Sequence, residues 1–526
     1  MRTLYKYISV FLLTSVLLVS CEKDFDEINT SPNSPDKAQS QFLLTYAQRQ
    51  FAYAIYDSWF SGRMASVASQ QWAQRNYTTE DRYEFRANVT NNYFRNLYFY
   101  LMNLEEVIRL NTDAATKAEM ANVSGDNNAQ IATAMILRAA IIQMMTDCWG
   151  AIPYSQAFKP IQYPTPAYDS QADIYTALIA ELDQAATLIG TTTSAWDAGG
   201  DIIYGGDMTK WKKFANSLRL RLAVRMNRVN PATANTVALD AIADGVFTSN
   251  DDNAVFNFIK DGTPNAAPMY EAFFTSARND FSMTKQFVNL MRGLNDPDIR
   301  TGGYTNPFAG ISDPRLPIYR GPAMDNTTIG LPFGLADEDM KGYVNANPNV
   351  INYFTSPVAK VVAADFGSIF LDYPTVCFMR SEVTNWDRTW FSNGVEASCE
   401  MWGVSAANTT AYHTAVMAAY DAAPVAQREE LVITQKYIHL FTQSHEAWSE
   451  YRRTGFPRSI VKPNEVTLID GATTYRFVPL VSSGTDIVAR FMYPSSEFTL
   501  NKDNVNAAIT AQGADNLSTR LWWDIN

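Results

Sequence analysis

The chain has 526 residues, a formal net charge of −12, and 47% hydrophobic against 18% charged residues. That balance suits a globular protein with a large core and excludes wholesale disorder. With acid in excess and no long Lys/Arg cluster, it argues against a nucleic-acid partner.

The first element is an apolar run. Arg2 and Lys6 precede residues 8–19, and the run closes on Leu18, Val19, Ser20 and Cys21. An apolar core of about 12 residues is too short for a bilayer, which takes about 20, so the segment reads as a secretion signal. Its ending matches the lipobox of bacterial lipoproteins and predicts cleavage before Cys21 and acylation of that residue, by more than one chain for firm anchoring. Residues 22–27, EKDFDE, resemble the acidic surface-export signal of some Gram-negative bacteria. Residues 29–40, NTSPNSPDKAQS, read as an extended leash that ends at a helix start.

From Gln41 the pattern is helical. Tyr93, Phe94, Leu97, Tyr98, Leu101, Leu104 and Ile108 recur at three and four residues, which gives one long helix an apolar face. Residues 131–149 form a second stripe, closed by Gly150 and Pro153. Ile174, Leu178, Leu182, Ala185 and Ile189 form a third, ended by Gly190. Trp211, Phe214, Leu218, Leu222, Met226 and Val229 form a fourth, with Asp207 and Thr209 as capping candidates and Asn230 and Pro231 as the stop. Residues 431–453 form a fifth, closed by Gly455 and Pro457. Each stripe is amphipathic and needs a neighbour to pack on. Residues 261–375, punctuated by Gly, Pro, Asn and Asp, read as long loops of the kind that carry function or lack order. No alternation is sustained enough for a large sheet, and no tetratricopeptide repeat shows in the residues themselves.

Five segments, taken in order, resemble the SusD/RagB family of outer-membrane nutrient-binding lipoproteins, and its second, SusD-like branch above all. They are FDEINTSPNSP, TDCWGAIPYSQAF, YGGDMTKWKKFANSLRLRLAVRMNRVNP, TQKYIHLFTQSHEAWSEYRRTGFP and RFMYPSSEFTLNKDNVNAAI. The resemblance implies an all-α fold of tetratricopeptide-like helix pairs with long aromatic-bearing loops. It also implies a surface lipid anchor, binding of an oligomeric nutrient such as a glycan, and delivery to a TonB-dependent SusC-like transporter barrel over which the protein sits as a lid. The expected division is a signal peptide at 1–20, a lipid-anchored leash at 21–40 and one SusD-like binding domain at 41–526. After FMRSEV the stretch TNWDRTWFSNGVEAS departs from the family pattern, which leaves the helix boundaries there open, and Ala151 stands where an acid is common.

Three histidines, His413, His439 and His445, and the absence of hydrolase or nucleotide-binding motifs point away from an enzyme. A surface glycosidase, which needs only two carboxylates, is one alternative, and a structural or adhesive surface protein is another. Cys148, Cys377 and Cys399 match no metal or redox spacing and read as buried thiols. Asp296 and Asp298 offer oxygens suited to calcium but fall short of the roughly six to eight ligands it takes, so no cofactor is expected.

Sugar recognition draws on flat apolar rings beside amides, carboxylates and guanidinium groups. The densest such cluster is SQQWAQRNYTTEDRYEF, residues 69–85. Trp72, Gln74, Asn76 and Tyr77 are its ligand-binding candidates, with helix-end packing as the alternative. Trp386 and Trp390, four apart and able to share a helix face, are second candidates, with core packing as theirs. Tyr343, Tyr353 and Phe354 are weaker. Arg452 and Arg453, and the row Arg219, Arg221 and Arg225, read as structural ties.

Overall fold

The amphipathic stripes become helices, and each packs on the next. In this computed structural model, which describes residues 38–525 except 198, 261, 263, 297–303, 321–329 and 352–359, α1 (Ser40–Ala54) packs on α2 (Ala87–Thr112). After α3 (Lys117–Ser124), α2 meets α4 (Asn127–Trp149), which packs on α5 (Gln171–Ile189). α5 packs on α6 (Met208–Met226), and α6 on α7 (Pro231–Gly245). α4 is apolar almost all round because it has neighbours on every side; 89% of its most apolar window is buried. Cys21, the signal and most of the leash lie outside the described residues, as do Asp298, Tyr353 and Phe354.

The helix ends follow local chemistry. Asp207 accepts from Thr209 N and Lys210 N at the start of α6, and Pro231 opens α7 as its first residue. Gly150 closes α4 at φ +84°, where a Cβ would overlap the Gln512 amide that binds Ala151 N and Trp149 O.

The later part of the chain adds α8 (Asp337–Ala346), α9 (Tyr373–Val383), α10 (Arg388–Trp402), α11 (Ala406–Ala422), α12 (Arg428–His439), α13 (Ser444–Thr454) and α14 (Lys502–Gln512). α9 packs on α10 and α12, and α10 on α11. The fifth stripe is therefore two helices rather than one. Thr442 turns the chain at φ +76°, and the Gln443 amide fixes the break by donating to Asp372 Oδ2 at 2.7 Å.

Among the described residues the strands are short: β1 (Trp72–Gln74), β2 (Ile152–Pro153), β3 (Tyr168–Asp169), β4 (Ala254–Phe256), β5 (Phe281–Met283), β6 (Ser368–Leu371), β7 (Val466–Asp470) and β8 (Thr473–Arg476). They form two-stranded antiparallel ladders, β1 with β5, β2 with β3, β4 with β6 and β7 with β8. The fold is all-α in class, with ladders pinning the loops.

Buried ion pairs tie the helices together. Arg225, fully enclosed on α6, meets Asp147 of α4 at 3.2 Å and Glu446 of α13 at 2.5 Å. Arg453 grips Glu382 of α9 through both terminal nitrogens, at 2.5 and 2.7 Å. Cys148, Cys377 and Cys399 are free and buried; burial pushes the Cys377 thiol up to about 12 and the Cys399 thiol up to about 11.

Candidate ligand platform at Trp59 and Tyr77

Beyond α1 the chain turns outward and makes one π-helical turn, Ser61–Ala65, closed by Ser66 N on Ser61 O. Such turns are strained insertions that re-aim side chains, often at functional sites. This one swings Arg63 beneath Trp59, with the guanidinium 4.4 Å from the ring centre. Arg63 is buried, whereas Trp59 is 46% exposed. Arg63 donates to Asp280 Oδ2 at 2.6 Å and to Ser58 O at 2.5 Å. A second π-helical turn, Glu271–Thr275, leads into the loop that carries Arg278 and Asp280. Arg278 donates to the same Asp280 oxygen at 2.8 Å, and its guanidinium stands 5.9 Å from the Tyr77 ring. Arg75 N donates to Asp280 O at 2.9 Å. Asp280 thus holds two guanidinium groups, and each supports an exposed aromatic ring.

Tyr77 itself is 59% exposed and sits at φ +57°. Its N–H donates to Asp337 Oδ1 at 2.8 Å, and the next residue, Thr78, donates its hydroxyl to Leu335 O at 2.8 Å. The Lys341 ammonium holds the Asp337 carboxyl below the usual carboxylate range. Asn76, which precedes Tyr77 in the chain, is half-buried.

Of the four candidates read from residues 69–85, only Tyr77 and Asn76 reach this surface. Trp72 is 1% exposed, because β1 pairs with β5 and carries the indole inward against Tyr56, Phe281 and Phe441 at 6.2, 5.6 and 6.1 Å between ring centres. It is a core residue and offers no face to a ligand. Gln74 is equally enclosed, and neither end of its carboxamide has a hydrogen-bond partner among the described residues. Its N–H donates to Asp81 Oδ2 at 2.8 Å, and burial pushes that carboxyl well up.

Trp386 and Trp390 do not share a helix face. Asp387 caps α10 by accepting from Trp390 N at 3.0 Å, so Trp386 precedes the helix in a left-handed turn at φ +61°. Its carbonyl accepts from the Tyr420 hydroxyl. Trp390 lies under the Arg380 guanidinium at 3.3 Å from the ring centre, and both indoles are half-buried. Tyr343, also half-buried, donates to Gly330 O at 3.2 Å.

Trp59, Arg63, Arg278 and Asp280 escaped the sequence reading. Trp59 had one local signal: it stands among small polar residues, in YDSWFSGR, just where the stripe of α1 stops. The Arg278–Asp280 pair had none, since its partners lie some two hundred positions earlier.

One constellation has the order of a hydrolase triad. Ser398 Oγ lies 2.8 Å from His439 Nδ1, and His439 Nε2 lies 2.9 Å from Asp372 Oδ2. All three side chains are fully enclosed, and Arg315 donates to Ser398 Oγ at 2.6 Å, so the hydroxyl meets no substrate and serves packing. Burial acts to raise the Asp372 carboxyl, but the imidazole beside it wins and brings it down to about 2. Among the described residues no three His, Cys, Asp or Glu side chains group as a metal site.

A family model, SusD-like_2, described as starch-binding associating with outer membrane, matches residues 32–478. The chain belongs to the SusD-like family. No curated protein matches the sequence. A SusD homologue from Bacteroides uniformis is 24% identical with a TM-score of 0.71, over 92% of this chain and all of its own. A chitin-binding SusD homologue from Flavobacterium johnsoniae is 24% identical with a TM-score of 0.68, over 92% of this chain and 97% of its own. A SusD homologue from Parabacteroides distasonis is 22% identical with a TM-score of 0.68, over 93% of this chain and 98% of its own. These likenesses establish the SusD-like fold of the chain.

Proposed function

We propose that this protein is a cell-surface lipoprotein that captures an oligomeric glycan and delivers it to a TonB-dependent, SusC-like transporter. The observation that carries the reading is the pair of exposed rings, Trp59 and Tyr77, held through Asp280 in a chain whose family is described as starch-binding and outer-membrane-associated. Each ring offers a flat apolar face to the C–H side of a pyranose. Arg278 stands beside the Tyr77 ring to bind hydroxyls, Asn76 next to it in the chain supplies a carboxamide, and guanidinium contact keeps the rings in place on the open surface. Capture needs no bond-making residue and no cofactor, and hydrolysis is not part of the reading. Cys21 carries the lipid, residues 21–40 span from membrane to fold, and residues 41–526 form one binding domain.

Titration calorimetry with maltoheptaose and chitohexaose tests the platform. Binding of one of them that falls in both Trp59→Ala and Tyr77→Ala supports the reading. Binding that neither substitution changes overturns the platform, and release of shorter sugars from either probe overturns the binding role.

A further inference from the structure

A second cleft, of about 540 Å3, opens between the β4–β6 ladder and the C-terminal end of α10. None of the platform residues lines it. Its volume falls among those of small-molecule sites, about 300–1,000 Å3. The floor is aliphatic, made by Ile203, Val255, Ile369 and Met401. Gly367 keeps the wall open, since a Cβ there would come within 2.5 Å of Val255 Cγ1 and 2.7 Å of Asn257 Oδ1.

The polar lining is rich in amides and offers no net charge. Lys360 Nζ donates to Met401 O and Trp402 O at 3.2 Å each, the last carbonyls of α10, where a cation is favoured. Asp365 pairs with Lys260 at 3.0 Å. Both charges are thus answered within the protein. Three carboxamides, from Asn250, Asn253 and Asn257, converge on the space. Asn253 is engaged on both sides, accepting from Tyr373 N at 2.7 Å and donating to Asn250 at 3.3 Å. Asn257, exposed at the rim, makes no side-chain hydrogen bond among the described residues. Trp402 also lines the cleft, and its Nε1 lacks an acceptor there too.

With one ammonium already seated on helix-end carbonyls and one carboxylate already paired, the lining does not select for a charged ligand, and a purely apolar one would strand the amides. A carboxamide donates and accepts at once, which matches neighbouring sugar hydroxyls, while the aliphatic floor suits a pyranose C–H face. We propose that this cleft is a second saccharide site, which takes a neutral, hydroxyl-rich ligand of one or two rings independently of the Trp59–Tyr77 platform.

Hydrogen-exchange mass spectrometry on the purified protein resolves the two sites. The probes are maltose and N,N′-diacetylchitobiose at about 50 mM, enough to fill a millimolar site. The expected result is slowed exchange in residues 250–257 and 363–369 with one of the two sugars. It should persist in Tyr77→Ala, and the apparent affinity there should fall about fivefold in Asn257→Ala, as for one lost hydrogen bond. Val255→Trp, which fills the cleft from β4, should abolish it. Unchanged exchange in those residues with both sugars overturns the proposal, as does slowing that survives both cleft substitutions. The platform is judged separately on residues 57–63 and 75–80, so failure of one site is distinguishable from failure of the other.

Discussion

Arg63 Nη2 donates to Asp280 Oδ2 at 2.6 Å, with the two side chains only 3% and 6% exposed. Arg278 shares that oxygen at 2.8 Å but is 47% exposed. Removing the shared carboxylate strands a buried guanidinium beneath Trp59, at a cost of about 3–5 kcal/mol. Asp280→Ala is therefore expected to lower the denaturant midpoint and to weaken glycan binding together, because both rings lose their support. Arg278→Ala should weaken binding with little change in stability, since exposed pairs contribute little. An Asp280→Ala protein as stable as the wild type would show that the aspartate is not the hub.

Trp72 and Tyr77 stand five residues apart and should respond in opposite ways. Trp72→Ala opens a cavity among Tyr56, Phe281 and Phe441 and is expected to cost about 3–5 kcal/mol of stability. Tyr77→Ala should leave melting unchanged and weaken binding about thirtyfold, the equivalent of about 2 kcal/mol. Thermal melting beside binding calorimetry on the two proteins decides; a destabilised Tyr77→Ala with full affinity reverses the assignment.

What could be read from the sequence divides along locality. Helix stripes depend on neighbours three and four apart, so α2, α4, α5 and α6 were legible, the last three together with a glycine or cap that bounds them. The stripe at 431–453 carries no glycine or proline to announce its break, which the structure places at Thr442 and Gln443, where the Gln443 amide reaches Asp372. The stretch at 69–85 was legible as a run of rings among polar groups, but not which of its rings faces out. Trp72 turns inward because β1 meets β5, two hundred residues on, and that register leaves no mark in the local pattern. Trp386 was misplaced for a smaller reason: Asp387 caps α10, so the spacing of four spans a turn and a helix start.

Cys21→Ala should release the protein from the outer membrane without altering its fold. The lipobox ending at residue 21 motivates this, and α1 begins at Ser40, nineteen positions further along the chain. Membrane fractionation in cells lacking the transporter, with melting of the released protein, reads both parts. A variant that stays with the membrane at the wild-type level assigns anchoring elsewhere.

Asp57 and His445 meet through Ser61, whose N–H donates to Asp57 Oδ1 at 2.8 Å and whose Oγ lies 3.1 Å from His445 Nε2. Burial pushes the Asp57 carboxyl up from 3.8 to about 7, against backbone N–H groups and Arg63 that favour its charge. Burial also pulls His445 down from 6.5 to about 4. Between 3.8 and about 7 the folded state binds more proton at Asp57, so that contribution is full at low pH and lost as pH rises to about 7. Between about 4 and 6.5 the unfolded state binds more proton at His445, so that contribution is full above 6.5 and lost as pH falls to about 4. The two slopes oppose each other across the shared window. Relative to the wild type, Asp57→Asn should therefore gain stability as pH rises from 4.5 to 6.5, and His445→Gln should lose it. Urea midpoints at those two pH values test the pair. Changes of the same sign in both variants would mean that burial at Ser61 does not set these two protonation states.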